Sequence, residues 1–133
     1  MLSNNRDRSR NTEFSMKILV IDDCADSAEM LGLLLEAHGH SVLLAFSGRS
    51  GIELAQVAEP DSVIIDLGLP DMDGIEVIRA VRLSVTVGKC KVLVVTGRGD
   101  LDARNEASEA GADCFFVKGG DLGGLLSLVD RNC

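Results

Sequence analysis

The chain has 133 residues, 46% of them hydrophobic, with a net charge of −8, four Phe and neither Trp nor Tyr. That length suits one domain with one core, and that composition suits a folded globule. An acidic body without stacking platforms argues against nucleic-acid binding, no apolar run is long enough to span a bilayer, and residues 1–15 lack the apolar stretch of a secretory signal, so a cytoplasmic protein with no membrane contact is expected.

Residues 1–15 carry Arg6, Arg8 and Arg10 against Asp7 and Glu13 and are expected to form a flexible tail ahead of a domain over 16–133. "KILVI" (17–21) is the first short apolar run and reads as a strand ending in Asp22-Asp23. A helix is expected to start at Asp26, paired with Glu29 as a capping box, with Met30, Leu31, Leu34 and Leu35 as its apolar stripe and Gly39 as its stop. His38 and His40 flank that glycine and are expected at the surface near the helix end. "SVLLAF" (41–46) is the second strand, and the helix after Gly48 carries Ile52, Leu54, Ala55 and Val57 and is closed by Pro60.

"SVIID" (62–66) is a strand that ends in a carboxylate. Asp71 and Asp73 follow in a turn built on Pro70 and Gly74, most simply as turn and cap residues for a helix with Ile75, Val77, Ile78 and Val81. "KVLVV" (91–95) leads into Thr96-Gly97, and a weaker helix over 102–110 has a mostly alanine inner face. "CFFV" (114–117) leads into Lys118, and Leu122, Leu125, Leu126 and Val129 give the last helix its i, i+3, i+4, i+7 stripe. Strands alternating with helices argue for βα units and a parallel sheet covered on both faces. Cys24, Cys90, Cys114 and Cys133 form no CxxC pair, so a zinc site is not expected and all four read as free thiols.

Right-handed crossovers place all the strand carboxyl ends on one edge of such a sheet, where ligands bind. That edge collects Asp22, Asp23, Asp66, Thr96 and Lys118. Each alone has a plain structural use, but together they describe a site. Three carboxylates repel one another, and one lysine cannot neutralise them, which points to a hard divalent ion such as Mg2+. With the ion present, a carboxylate stays ionised and can attack a phosphoryl donor, while an ammonium and a hydroxyl meet the transferring group. The glycine runs after the fourth and fifth strands lack the GxxxxGK[ST] pattern of a phosphate loop.

The acid pair, the "DLGLPDMDG" block (66–74), the Thr and the Lys, in this order and at fitting intervals, resemble the receiver domain of two-component response regulators over roughly residues 16–131. The resemblance implies an α/β, flavodoxin-like (βα)5 doubly wound fold: five parallel strands in the order 2-1-3-4-5 with helices on both faces. It makes Asp66 the phosphoacceptor. Asp22, Asp23, Asp66 and the main-chain carbonyl of Gly68 become the Mg2+ ligands, Asp22 mostly through water. Thr96 and Lys118 hold the phosphoryl group, and Phe115 is the aromatic switch that follows Thr96.

It further implies a sensor histidine kinase or histidine phosphotransfer protein as donor, a downstream effector protein, and a phosphorylation-dependent homodimer as one form of output. With no output domain in the chain, a single-domain receiver is expected, and a signalling phosphoacceptor rather than an enzyme. The alternatives are a degenerate receiver that binds partners without phosphorylation, a small phosphatase with an aspartyl nucleophile, and a flavin protein of similar topology. Gly119 stands where the family usually has Pro after the Lys, which predicts a trans Lys118–Gly119 bond and a looser loop. The switch residue is Phe, with no phenol hydroxyl to anchor it. Gly68 has no side chain to shield a phosphoryl group, so donors and water are expected to approach readily. Arg98 is expected to be solvated.

Overall fold

The computed structural model describes residues 15–97 and 99–130. In chain order the elements are β1 (Lys17–Ile21), α1 (Ala25–Ala37), β2 (Ser41–Ala45), α2 (Gly48–Ala58), β3 (Ser62–Ile65), α3 (Gly74–Leu83), β4 (Lys91–Thr96), α4 (Leu101–Ala110), β5 (Cys114–Val117) and α5 (Leu122–Asp130). The strands form one parallel sheet in the order β2-β1-β3-β4-β5, the predicted topology. Residues 1–14 and Arg98, for which a tail and a solvated side chain were expected, lie outside the described residues, as do residues 131–133.

Side chains alternate across a strand, and the sheet sorts its apolar residues accordingly. Leu19, Ile21, Val63, Ile65, Val92 and Val94 pack on one face with residues of α2, α3 and α4. Ile18, Val20, Ile64, Leu93 and Val95 pack on the other with Ala28 and Leu35 of α1 and Leu125 and Val129 of α5. All four residues of β3 are buried, which explains why its sequence is an unbroken run rather than an alternation. Truncating a core side chain such as Ile64 to Ala is expected to cost about 2–5 kcal/mol.

At the amino edge of the sheet, Arg82 ties loops together. Its guanidinium donates to the carbonyls of Gly111 (2.9 Å), Gly88 (2.9 Å) and Cys90 (2.5 Å) and pairs with Asp113 (2.8 Å), whose carboxylate also accepts Val92 N–H (2.8 Å). The frame is thus pinned at the end away from the acid cluster.

Several local expectations need correction. The N-cap of α1 is Cys24, with no side-chain cap bond, and Asp26 lies within the first turn, where its charge still favours the helix dipole. His40 is buried rather than at the surface. Its Nδ1 accepts Met16 N–H (3.1 Å) and its Nε2 lies 3.3 Å from Asp130 Oδ1, so it joins the start of β1 to the end of α5. Cys24 and Cys90 are free thiols as expected, but Cys114 is disulfide-bonded. Asp73 does cap α3, accepting Ile75 N–H at 3.0 Å, and Gly74 is required there: a Cβ would lie 2.6 Å from the Leu67 Cα.

Candidate phosphoryl-acceptor site

The site is assembled by parallel register at the carboxyl edge. Asp22 follows β1 and its N–H donates to the Ala45 carbonyl (3.0 Å), while Asp66 follows β3 and donates to the Ile21 carbonyl (3.0 Å). The ladders therefore continue one residue past the regular strands and set both acids side by side. Asp22, Asp23 and Asp66 each offer a carboxylate oxygen, all within 4.8 Å of one another. Asp22 is buried, Asp66 half-buried and Asp23 exposed, so the cluster opens on the Asp23 side.

Lys118, just past β5, reaches across to it. Its Nζ lies 2.7 Å from Asp66 Oδ2 and 3.2 Å from Asp22 Oδ2. Burial would lower the Lys118 pKa, but the hydrogen bond and charge of Asp66, followed by those of Asp22, outweigh it and hold the ammonium above its usual value. One cation against three acids leaves the cluster net anionic, and the all-oxygen donor set suits a hard divalent ion. The other Asp66 oxygen, Oδ1, accepts Gly68 N–H at 3.1 Å, which fixes the carboxylate plane. Asp22 Oδ1 likewise accepts Cys24 N–H at 3.0 Å.

Thr96 closes β4, buried, and its carbonyl accepts Lys118 N–H at 2.8 Å, which ties the two residues together. Phe115 is half-buried against the β3–β4 core, paired in register with Val94. The Arg104 guanidinium sits 4.9 Å above its ring centroid, a cation–π contact with no signal in the sequence pattern. All peptide bonds recorded are trans, including that of Gly119, as expected, and Gly119 has φ +92°. Proline cannot adopt that angle, so this loop has a path of its own.

Asp71, expected only to shape a turn, instead accepts two N–H groups of α2. That contact was missed because its partners lie far back in the chain. Beside the acids, an apolar cleft of about 220 Å3 opens between α1 and α5, lined by Met30, Leu31, Leu34, Phe116 and Leu122 among others. No helix among the described residues is long and apolar enough to cross a membrane.

Comparison with known proteins agrees with this geometry. A family model described as the response regulator receiver domain matches residues 18–130. Sporulation initiation phosphotransferase F of Bacillus subtilis is 30% identical over 115 residues, covering 86% of this chain and 91% of that protein. The cell cycle transcriptional regulator CtrA of Caulobacter vibrioides is 29% identical over 77% of this chain, and the match spans only 44% of CtrA. Among solved structures, the chemotaxis response regulator CheY4 of Vibrio cholerae superposes with a TM-score of 0.82 at 29% identity, covering 88% of this chain and 98% of that one.

Proposed function

The chain belongs to the response regulator receiver family, and on that premise we propose that Asp66 accepts a phosphoryl group from a phosphohistidine and that its phosphorylation switches partner binding. The observation that carries this reading is the Lys118 bridge between Asp66 and Asp22 within a three-acid cluster. In the transfer, an Asp66 carboxylate oxygen forms the new O–P bond as the donor's N–P bond breaks, and the imidazole leaves with the bonding pair. Lys118 is placed to follow the charge from the carboxylate onto the phosphoryl oxygens, and the Thr96 hydroxyl supplies a hydrogen-bond donor to them.

Asp22, Asp23, Asp66 and the Gly68 carbonyl would hold Mg2+, which when bound offsets the negative charge between nucleophile and phosphoryl group. Gly68 leaves the approach to Asp66 open, since a Cβ there would meet nothing nearer than Asp66 Oδ1 at 4.0 Å. The apolar cleft between α1 and α5, with Met30 and Leu122 exposed at its rim, suits a helix of the donor, a histidine kinase or histidine phosphotransfer protein. On the opposite side, new charge at Asp66 draws Thr96 inward, Phe115 follows, and the α4–β5 surface changes for an effector or a second copy. The chain's likeness to a phosphotransferase over most of that protein's length favours passage of phosphoryl groups between partners over turnover of free phosphate esters.

The test is incubation with acetyl phosphate and Mg2+ followed by intact mass. One added phosphoryl group, absent in Asp66→Asn and absent in EDTA, is the expected result. No addition to the wild type points to the degenerate receiver, and steady turnover of added phosphate esters points to the phosphatase.

A further inference from the structure

The β3–α3 loop must hold Gly68 without help from a side chain. A Cβ on Gly68 would meet nothing nearer than Asp66 Oδ1 at 4.0 Å, and the Gly68 N–H donates to that same oxygen. The pose of Gly68 therefore depends on where the rest of the segment 67–73 is fastened. At one end Gly74 N–H donates to the Leu67 carbonyl (3.1 Å). At the far side of the loop, Asp71 Oδ1 accepts Gly48 N–H (2.8 Å) and Oδ2 accepts Arg49 N–H (2.9 Å). These are the first two residues of α2, whose N–H groups have no partner within the helix. Met72 lies directly on the same helix start, so close that a Cβ on Gly48 would sit 2.4 Å from the Met72 Cγ. The Arg49 and Gly48 amides hold the Asp71 carboxyl below its usual pKa, so the clamp is anionic at neutral pH.

We propose that Asp71 is a positioning residue for the phosphoryl-acceptor site: its carboxylate fastens the β3–α3 loop to α2 and thereby sets the Gly68 carbonyl that completes the metal-ligand set. This rests on the receiver reading above. Were Asp71 only a helix cap, its loss would weaken α2 and leave the metal site alone, because Ser47 already caps the same helix by accepting Ser50 N–H (3.2 Å). That gives a matched control. Ser47→Ala removes a bond to the same helix start without touching the loop.

The experiment is an NMR titration of the Asp66, Leu67 and Gly68 amides with Mg2+ in the full chain. Asp71→Ala is expected to weaken Mg2+ binding by about tenfold, the low end of the losses seen when outer supports of a metal site are removed. Asp71→Asn keeps one acceptor oxygen and is expected to recover part of that loss, and it carries the comparison if the alanine variant does not fold. Ser47→Ala is expected to bind Mg2+ as the wild type does. Wild-type affinity in both Asp71 variants overturns the proposal, as does an equal loss in Ser47→Ala. A wild type that binds no Mg2+ instead overturns the receiver reading itself.

Discussion

The Arg104 guanidinium stands 4.9 Å over the ring of Phe115, so the aromatic residue proposed as the switch is held from outside by a cation carried on α4. A tyrosine could use its hydroxyl for that purpose, and Phe115 cannot. An inward swing of the ring must break the stack. At an exposed site such a contact is worth about 0.5–1 kcal/mol. Removing it shifts the balance between the two ring positions by that amount and no more. Arg104→Gln is therefore expected to raise the initial rate of phosphorylation by acetyl phosphate about two- to fivefold, with a change in the Phe115 ring resonances. Unchanged rate and unchanged resonances would show that the stack has no part in switching.

The acid cluster stores repulsion whenever no cation beyond Lys118 is present. Unit charges about 5 Å apart in a watery dielectric repel by roughly 1 kcal/mol. Asp23 is the exposed member, and Lys118 bridges the other two. Asp23→Asn is thus expected to raise the thermal midpoint in EDTA by a few degrees and to abolish most of the further rise that Mg2+ gives the wild type. Circular-dichroism melts with EDTA and with Mg2+ measure both effects. A lower midpoint for Asp23→Asn in EDTA would contradict the repulsion.

Lys118 sets the alkaline limit of its own contribution. Its folded-state pKa is raised above the 10.5 of a free lysine because the gain from Asp66 and Asp22 exceeds the penalty of burial. The folded state therefore binds the proton more tightly, and the stability it confers is fully present below 10.5 and lost as pH rises through the folded-state value. Lys91 works in the opposite sense. Burial lowers its pKa despite the Asp113 and Asp130 charges, so its burdened ammonium is relieved as pH rises. The quantity to measure is accordingly the difference in stability between wild type and Lys118→Met across pH 8 to about 12. That difference should stay flat up to the ordinary lysine range and shrink above it. A difference that already falls near neutral pH would mean the bridge does not form in solution.

Much of this molecule was legible because its strands are short, mostly apolar runs, and the residues at or just past the ends of β1, β3, β4 and β5 carry the chemistry. β3 is the plainest case: Ser62–Ile65 is buried along its whole length, and the charge begins at the next residue. The acid pair, Asp66, Thr96 and Lys118 could be placed on one edge because parallel connectivity leaves no other arrangement. What was not legible depends on partners distant in the chain. His40 looked like a helix-end residue, and only the approach of Met16 and Asp130 makes it a buried connector. Asp26 has the spacing of a capping residue, yet the backbone turns into α1 earlier, at Cys24. Arg82 and Arg104 lie on helices where a solvated arginine is the ordinary expectation, and neither the carbonyls around the one nor the ring beneath the other can be read from local pattern.

The loop after β5 turns at Gly119 with φ +92°, while Lys118 N–H remains bonded to the Thr96 carbonyl (2.8 Å) and Gly120 N–H to the Val117 carbonyl (3.2 Å). The positive φ directs the chain away just after the residue whose ammonium must reach Asp66. Restoring the proline usual in the family forces φ to about −65° at this point, so Gly119→Pro cannot keep the loop as it stands. Gly119→Ala keeps the path with a strain of about 1–2 kcal/mol. The expected order is therefore a modest drop in thermal midpoint for the alanine variant with the Lys118–Asp66 contact intact. For the proline variant, the Lys118 Nζ resonance should change and phosphorylation by acetyl phosphate should slow by about tenfold or more, since charge stabilisation at the phosphoryl oxygens is lost. A proline variant that is phosphorylated at the wild-type rate would show that Lys118 reaches Asp66 by either route, and that the left-handed turn at residue 119 is incidental to the site.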